Sequence, residues 1–323
     1  MSKSLSIEEC VNDEKWDKFI LSTENKNFYS ISDLINSSKF QYKKILIKKS
    51  DEIVGSFHFY HNQKSIINGD CIYSPINYKL FDDSTTGSQI YKKFDITNCF
   101  IDFIIKDFNM GEFTLDTQTN DLRPFYWYNF DKKKEIFTTK SVRYTSAVSL
   151  DNLNNQTQNF QESPVFKNFS RSIKQQYIKS LKENFFVRDE FDTSLAKKII
   201  LNTYKRQNIE INYDLDQTLE LYQKLERKKL IKMIICSKNS VDISFVIFST
   251  IGDKSIYLHG GRLNDENQDS SLTYNIIQSF NLLKKININY VDLEGVNSPK
   301  RGFWKIGFGG ELKPYFNLLF KND

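Results

Sequence analysis

Residues 300–310 read KRGFWKIGFGG and hold four of the chain's 12 glycines, two lysines, an arginine and three aromatic residues. Glycine lets the backbone approach a neighbour closely and present its N–H groups to an anion, and flanking cations strengthen such a nest. The stretch therefore reads as a phosphate-holding loop charged by Lys300, Arg301 and Lys305. Phe303, Trp304 and Phe308 would pack behind it or stack on a base, with Gly309 at its tight end. The other reading is a glycine-rich turn between helix and strand, with solvated cations.

Just upstream, YVDLEGV (290–296) alternates apolar and acidic residues. On a strand this puts Asp292 and Glu294 on one side of a sheet, as proton acceptors or as the polar face of a half-buried strand. SSLTYNIIQSFNLLKK before it has helical spacing. IKMIICSK, VDISFVIFSTIG and KSIYLHGG read as three strands joined by polar turns. Tyr257, His259 and Arg262 border Gly260 and Gly261 at the end of the third. His259 is a candidate base near neutral pH or a structural histidine. Further upstream lie two helices (SLAKKIILNTYKRQN, DQTLELYQKLERKKL), a strand (FFVRDEF) and the helix NFSRSIKQQYIKSLKEN. Arg171 and Lys174 sit near the start of that last helix, where anions are favoured, although a solvated basic face explains them equally well.

The first half repeats this order. Asn12 with Asp13 and Glu14 reads as a helix start, with Trp16, Phe19 and Ile20 on one face. KILIKK and EIVGSFHF form a hairpin, INGDCIY a third strand, SQIYKKFDITNCFIDFIIKDFN a long helix ending by Gly111, and EFTLDT a strand. An aromatic loop, LRPFYWYNF, and a last strand, KSVRYTSAVSL, follow. The predicted fold is α/β (α+β): two similar domains, each a mixed, mostly antiparallel sheet flanked by helices. The polar stretch DNLNNQTQNFQESP separates them, placing the domains at 1–160 and 161–310.

Composition is that of a foldable chain: 323 residues, 39% hydrophobic, 15% aromatic, 26% charged. Four scattered cysteines and three histidines argue against a zinc site or a disulfide framework. The start, MSKSLSIEECVNDEKWDKF, carries acids where a signal peptide needs an apolar run, and no stretch approaches a membrane span. A cytoplasmic location is expected, with peripheral membrane contact left open. A net charge of +5 favours anionic partners without the concentrated patch of a DNA-binding protein.

The doubled plan resembles the GNAT fold in tandem, as in the Fem family (FemAB and FemX type) of peptidyltransferases. EKWDKFILSTENKNFYS resembles that family's opening Trp-x-x-Phe helix, NFSRSIKQQYIKSLKENFFV its second-domain helix and strand, and SIYLHGGR and YVDLEGV its glycine-ended and aspartate-bearing strands. FWKIGFGGELKPYF resembles its closing Phe-Lys-x-x-Phe-Gly motif, with Trp304 in place of the first Phe. The resemblance implies that 311–323 complete the first domain. It implies an N-acyltransferase that moves an aminoacyl or acyl group to an amine on a nucleotide- or lipid-linked cell-envelope precursor. Lys305 would then hold a phosphate or stabilise charge at the reaction centre, and Arg171 would contact the acceptor's phosphates. A first-domain substrate lysine would be one of Lys39, Lys43 and Lys44. No tightly bound cofactor is implied, and the donor is either aminoacyl-tRNA or acyl-CoA.

The chain departs from the family's armed members in having no sustained heptad run. The places where ordinary GNAT enzymes cradle the CoA pyrophosphate read FDDSTTGSQIYKK and LNDENQDSSLTYN, without the glycine loop. Two other readings stay open: an acyl-CoA- or acyl-carrier-dependent acyltransferase of surface polysaccharide or lipid synthesis, and a non-catalytic binder of nucleotide-linked glycans or RNA. The aromatic run 125–130 reads as core and lid packing or as an acceptor-groove lining.

Overall fold

The computed structural model describes residues 5–69, 71–82, 85–132, 135–153, 160–263 and 270–322. In chain order the first half carries β1 (Leu5–Glu9), α1 (Asp13–Ser22), α2 (Ser32–Asn36), β2 (Gln41–Lys49), β3 (Glu52–Asn62), β4 (Ser65–Ile67), β5 (Ile76–Tyr78), α3 (Thr86–Asp107), β6 (Met110–Thr114), α4 (Arg123–Trp127) and β7 (Phe137–Ser149). The second carries α5 (Pro164–Lys167), α6 (Arg171–Ser180), β8 (Phe185–Asp189), α7 (Thr193–Gln207), α8 (Leu215–Arg227), β9 (Ile231–Lys238), β10 (Val241–Ser249), β11 (Lys254–Arg262), α9 (Ser271–Lys285), β12 (Tyr290–Asp292), α10 (Pro299–Ile306) and β13 (Glu311–Lys321). Local signals set most of these starts. Asn12, Thr85, Ser170, Asp192 and Asp214 each accept a hydrogen bond from a first-turn N–H of the helix they cap.

The chain forms two compact units. One is Met1–Arg143 with Pro314–Asp323, the other Tyr144–Lys313. The division thus falls within β7, not at 160/161, and the described part of the polar stretch belongs to the second unit, where Leu153 and Phe160 are core residues. In the first unit the strand order is β1-β2-β3-β4-β6-β13-β7, with β5 also on β3. In the second it is β7-β12-β11-β10-β9-β8. Each sheet includes a strand that arrives from far along the chain, because β13 pairs antiparallel with β6 and the end of β7 with β12.

Each long helix covers one sheet face. Phe100, Ile101 and Ile104 of α3 pack on Phe57, Phe59 and Phe113 in the first unit, and Ile276, Ile277, Phe280 and Leu283 of α9 on Val246, Phe248 and Val291 in the second. Burial of each such side chain contributes roughly 1.5–3 kcal/mol.

Several expectations need correction. Of INGDCIY (67–73) only Ile67, the end of β4, is in a strand among the described residues; Tyr60 bonds Cys71, and Tyr73 packs edgewise on Tyr29 and Tyr315. LRPFYWYNF is not a plain loop, since Pro124 opens the short helix α4 and buries Phe125. The glycine-rich stretch is mostly the helix α10, and β12 ends at Asp292, so Glu294 lies beyond the strand with φ +55°.

Candidate active site

In the second unit β11 and β12 run parallel for only three residue pairs, from Lys254 with Tyr290 to Ile256 with Asp292. Beyond them the strands separate. β11 goes on to Arg262 with β10, while the other chain turns away through Leu293 and Glu294 towards α10. Asp292 makes that turn: its Oδ1 accepts the Glu294 backbone N–H at 2.7 Å and the Thr145 hydroxyl from β7.

α10 is held against this turn by glycine. Gly302 lies so close to Val296 that a side chain would strike its carbonyl, and Gly307 meets Ile173 and Ser170 at the start of α6. Gly309 has φ +71° and lies against Asn168, and Gly310 lies against Ser146 and Ala147. These glycines serve close packing and one left-handed turn, which corrects the reading of an open anion nest. Phe308 is fully buried in the core and cannot stack on a ligand base.

The docked helix turns Lys305 inward to 8% exposure. Its Nζ donates to the Glu294 carbonyl at 2.8 Å and stands 5.1 Å from the centre of the Tyr257 ring. Its other N–H groups have no acceptor among the described residues. Lys305 thus bridges the gap between the separated strands, with Tyr257 on one side and the Glu294 carbonyl on the other. Burial pulls its pKa down, while Glu294 and Asp292 pull it up. Burial pushes the Asp292 carboxyl up against the Thr145 and Glu294 hydrogen bonds, and raises the Tyr257 phenol, keeping it neutral. Arg301, exposed on α10, lies within electrostatic reach of both Tyr257 and Lys305.

The structure therefore brings together Lys305, Asp292, Tyr257, the Glu294 main chain and Arg301, and adds Thr145. Other candidates lie elsewhere. A β-bulge between the pairs of Ile247 and Phe248 leaves Leu258 unmatched, so that Tyr257 and His259 take opposite faces of β11. His259 sits among the rings of Tyr213 and Tyr222 on the other face, within electrostatic reach of Lys305, and burial together with that charge pushes its pKa down to about 4, below the neutral range expected of it. Arg262 ends β11 opposite Ser244. Lys174 donates to the Lys167 carbonyl at 2.7 Å, and Arg171 is exposed at the start of α6. Phe303 points to solvent, and the Trp304 Nε1 reaches Thr273 at 3.4 Å. In the first unit Lys43 pairs with Glu9, Lys44 is buried on Asp13, and Lys39 lies 5.3 Å from the Phe40 ring centre. Residues 264–269, within the stretch that could receive a pyrophosphate, lie outside the described residues.

Chemically the arrangement offers fixed positive charge with unused donors, a proton acceptor of raised basicity, and a neutral aromatic wall in a gap in the sheet. Those are the parts that amide formation uses: donors for a developing oxyanion and a base for the amine.

No family model matches the chain, and no curated protein matches it in sequence. Solved structures do. FemX matches with TM-score 0.70 at 11% identity, over 97% of this chain and 96% of its own. L-PGS from Bacillus licheniformis matches with TM-score 0.58 at 10% identity, over 97% and 92%. A tandem GNAT protein from the clavulanic acid biosynthesis pathway matches with TM-score 0.54 at 7% identity, over 99% of both chains. At these identities the likeness is one of fold, the tandem GNAT arrangement.

Proposed function

We propose that the protein is an N-acyltransferase of the Fem-like type, transferring an aminoacyl or acyl group to an amine on a nucleotide- or lipid-linked cell-envelope precursor. The observation that carries this is Lys305, buried in the gap between β11 and β12 with donors to spare and Asp292 at the turn beside it. The amine nitrogen attacks the acyl carbon and gives its proton to Asp292. Lys305, with Arg301 at the rim, steadies the negative oxygen, and as the intermediate collapses the acyl carbon's bond to the donor oxygen or sulfur breaks, the leaving atom taking up the proton held by Asp292. The donor is aminoacyl-tRNA or an acyl thioester. The likeness to FemX and to L-PGS favours a precursor- or lipid-linked acceptor over a small soluble amine.

A thermal-shift panel of nucleotide-linked muropeptides, nucleotide sugars, CoA thioesters and aminoacyl-tRNA tests the ligand class, since a ligand that binds the native state raises Tm. With the stabilising pair in hand, Lys305→Ala should lower transfer by about 100-fold or more, the scale of losing one oxyanion donor, with circular dichroism unchanged. Full activity in a folded Lys305→Ala protein removes this lysine from the reaction. Stabilisation by CoA thioesters alone moves the protein to thioester-dependent acylation.

A further inference from the structure

We propose that Asn297 is a positioning residue that sets Lys305 in the gap: by clamping the main chain of Tyr144 on β7 it fixes a bulge whose Glu294 carbonyl holds the lysine. Its part in catalysis rests on the reading of Lys305 given above. Asn297 is exposed, two residues before α10, yet it commits both ends of its amide to one residue. Its Oδ1 accepts the Tyr144 N–H at 2.8 Å, and its Nδ2 donates to the Tyr144 carbonyl at 3.0 Å. Together the two bonds stand in for one further rung of the ladder between β7 and the chain that leaves β12.

The bulge lies between this clamp and β12. Asp292 pairs with Ala147, and the Leu293 N–H donates to the Ser146 carbonyl at 2.9 Å, in step with that pairing. Val296 then donates to the Tyr144 carbonyl at 3.1 Å, so that Glu294 and Gly295 together stand against Thr145 alone. The extra residue is taken up by φ +55° at Glu294 and +22° at Gly295, the first a conformation that residues other than glycine seldom adopt. Such backbone persists only where its flanks are held. Thr145 and Asp292 hold it on the β12 side, and Val296 and Asn297 on the other. Two contacts of α10 depend on it: Lys305 donates to the Glu294 carbonyl, and Gly302 packs on the carbonyl of Val296. Releasing the clamp therefore displaces the ammonium without touching it, and a displacement of about 1 Å at a reacting group can cost about 100-fold in rate.

The test compares the full-length wild type with Asn297→Ala, which removes both bonds, and Asn297→Asp, which keeps the acceptor for the Tyr144 N–H and loses the donor to its carbonyl. The first readout is Lys305 itself and needs no turnover: in protein carrying isotope-labelled lysine, the Lys305 Cε signal, identified by its loss in Lys305→Arg, is titrated by NMR. Burial holds this ammonium's pKa down against Glu294 and Asp292, with Arg301 adding to the depression and Tyr257 and, across the strand, His259 close by. Freed from the Glu294 carbonyl and opened to water, the amine should titrate at higher pH in Asn297→Ala and between the two in Asn297→Asp, with circular dichroism unchanged. The second readout is transfer with the stabilising donor and acceptor. In Asn297→Ala kcat should fall about 10- to 100-fold with KM within about twofold, and the substitution should add nothing to the loss in Lys305→Ala, because it acts through that lysine. An unchanged Lys305 titration in either folded variant overturns the proposal, as does a loss of transfer of the same size with and without Lys305. A shifted titration in a protein that transfers no acyl group upholds the setting of Lys305 by Asn297 and overturns the transfer reading alone.

Discussion

A single oxygen organises the candidate site. Asp292 Oδ1 accepts both the Glu294 N–H and the hydroxyl of fully buried Thr145, so one atom holds the turn and orients the acid. The hydroxyl bond favours the charged carboxylate, so its removal raises a pKa that burial has already pushed up. Thr145→Val should therefore shift the titration of the Asp292 carboxyl carbon, followed by NMR, to higher pH, and Thr145→Ser should restore it. Equal curves in all three proteins would mean that Thr145 only fills space. Asp292 stood out in the sequence as an acid alternating with apolar residues, and Lys305 as a cation among glycines and aromatics in a stretch that resembles the Fem family's closing motif. Thr145 did not, since it lies 147 positions from its partner in an ordinary strand pattern.

At the scale of elements, α10 shows how composition misleads. Four glycines in eleven residues suggest a loop, yet the segment is helical through Ile306 because Lys300, Arg301, Trp304 and Lys305 are adequate helix formers and Pro299 suits a first turn. Replacing a helical glycine with alanine ordinarily stabilises by about 1 kcal/mol. At Gly302 the added methyl strikes the Val296 carbonyl, so Gly302→Ala should instead destabilise by roughly 1–3 kcal/mol. Lys305 should lose its seat as well, giving a lowered Tm with lost transfer. A gain in Tm would show that α10 can move aside at no cost. The bulge at Leu258 is the other local event with a distant effect, since one extra residue sends His259 away from Tyr257.

At the scale of the whole molecule, stability should depend on pH through its buried histidines. His58 is 1% exposed, its ring nitrogens have no hydrogen-bond partner among the described residues, and burial with nearby Lys44 pushes its pKa down to about 3. The unfolded chain takes up this proton near the ordinary value of 6.5 while the folded chain stays neutral. Stability is therefore lost as pH falls from 6.5 towards 3, with a slope of at most about 1.4 kcal/mol per pH unit. His259 adds to the loss down to about 4. His58→Leu, of similar size and without polar atoms, should fold and should reduce the loss between about pH 7 and about pH 5 by roughly 2 kcal/mol in urea unfolding. An unchanged pH dependence would show that His58 protonates freely in the folded state.

The amino-acid sequence by itself determined the order of elements, given twice over, because helical and strand periods and caps such as Asn12 and Ser170 act within a few residues of chain. It also marked Lys305 and Asp292 as candidate site residues. Only the tertiary structure decided that the second unit begins inside β7, that Tyr257 and His259 part company, and that Thr145 holds Asp292. The physical reason is range. Periodicity and capping are local, whereas sheet register, a bulge and the seating of a helix on glycine are set by contacts between segments the sequence leaves far apart.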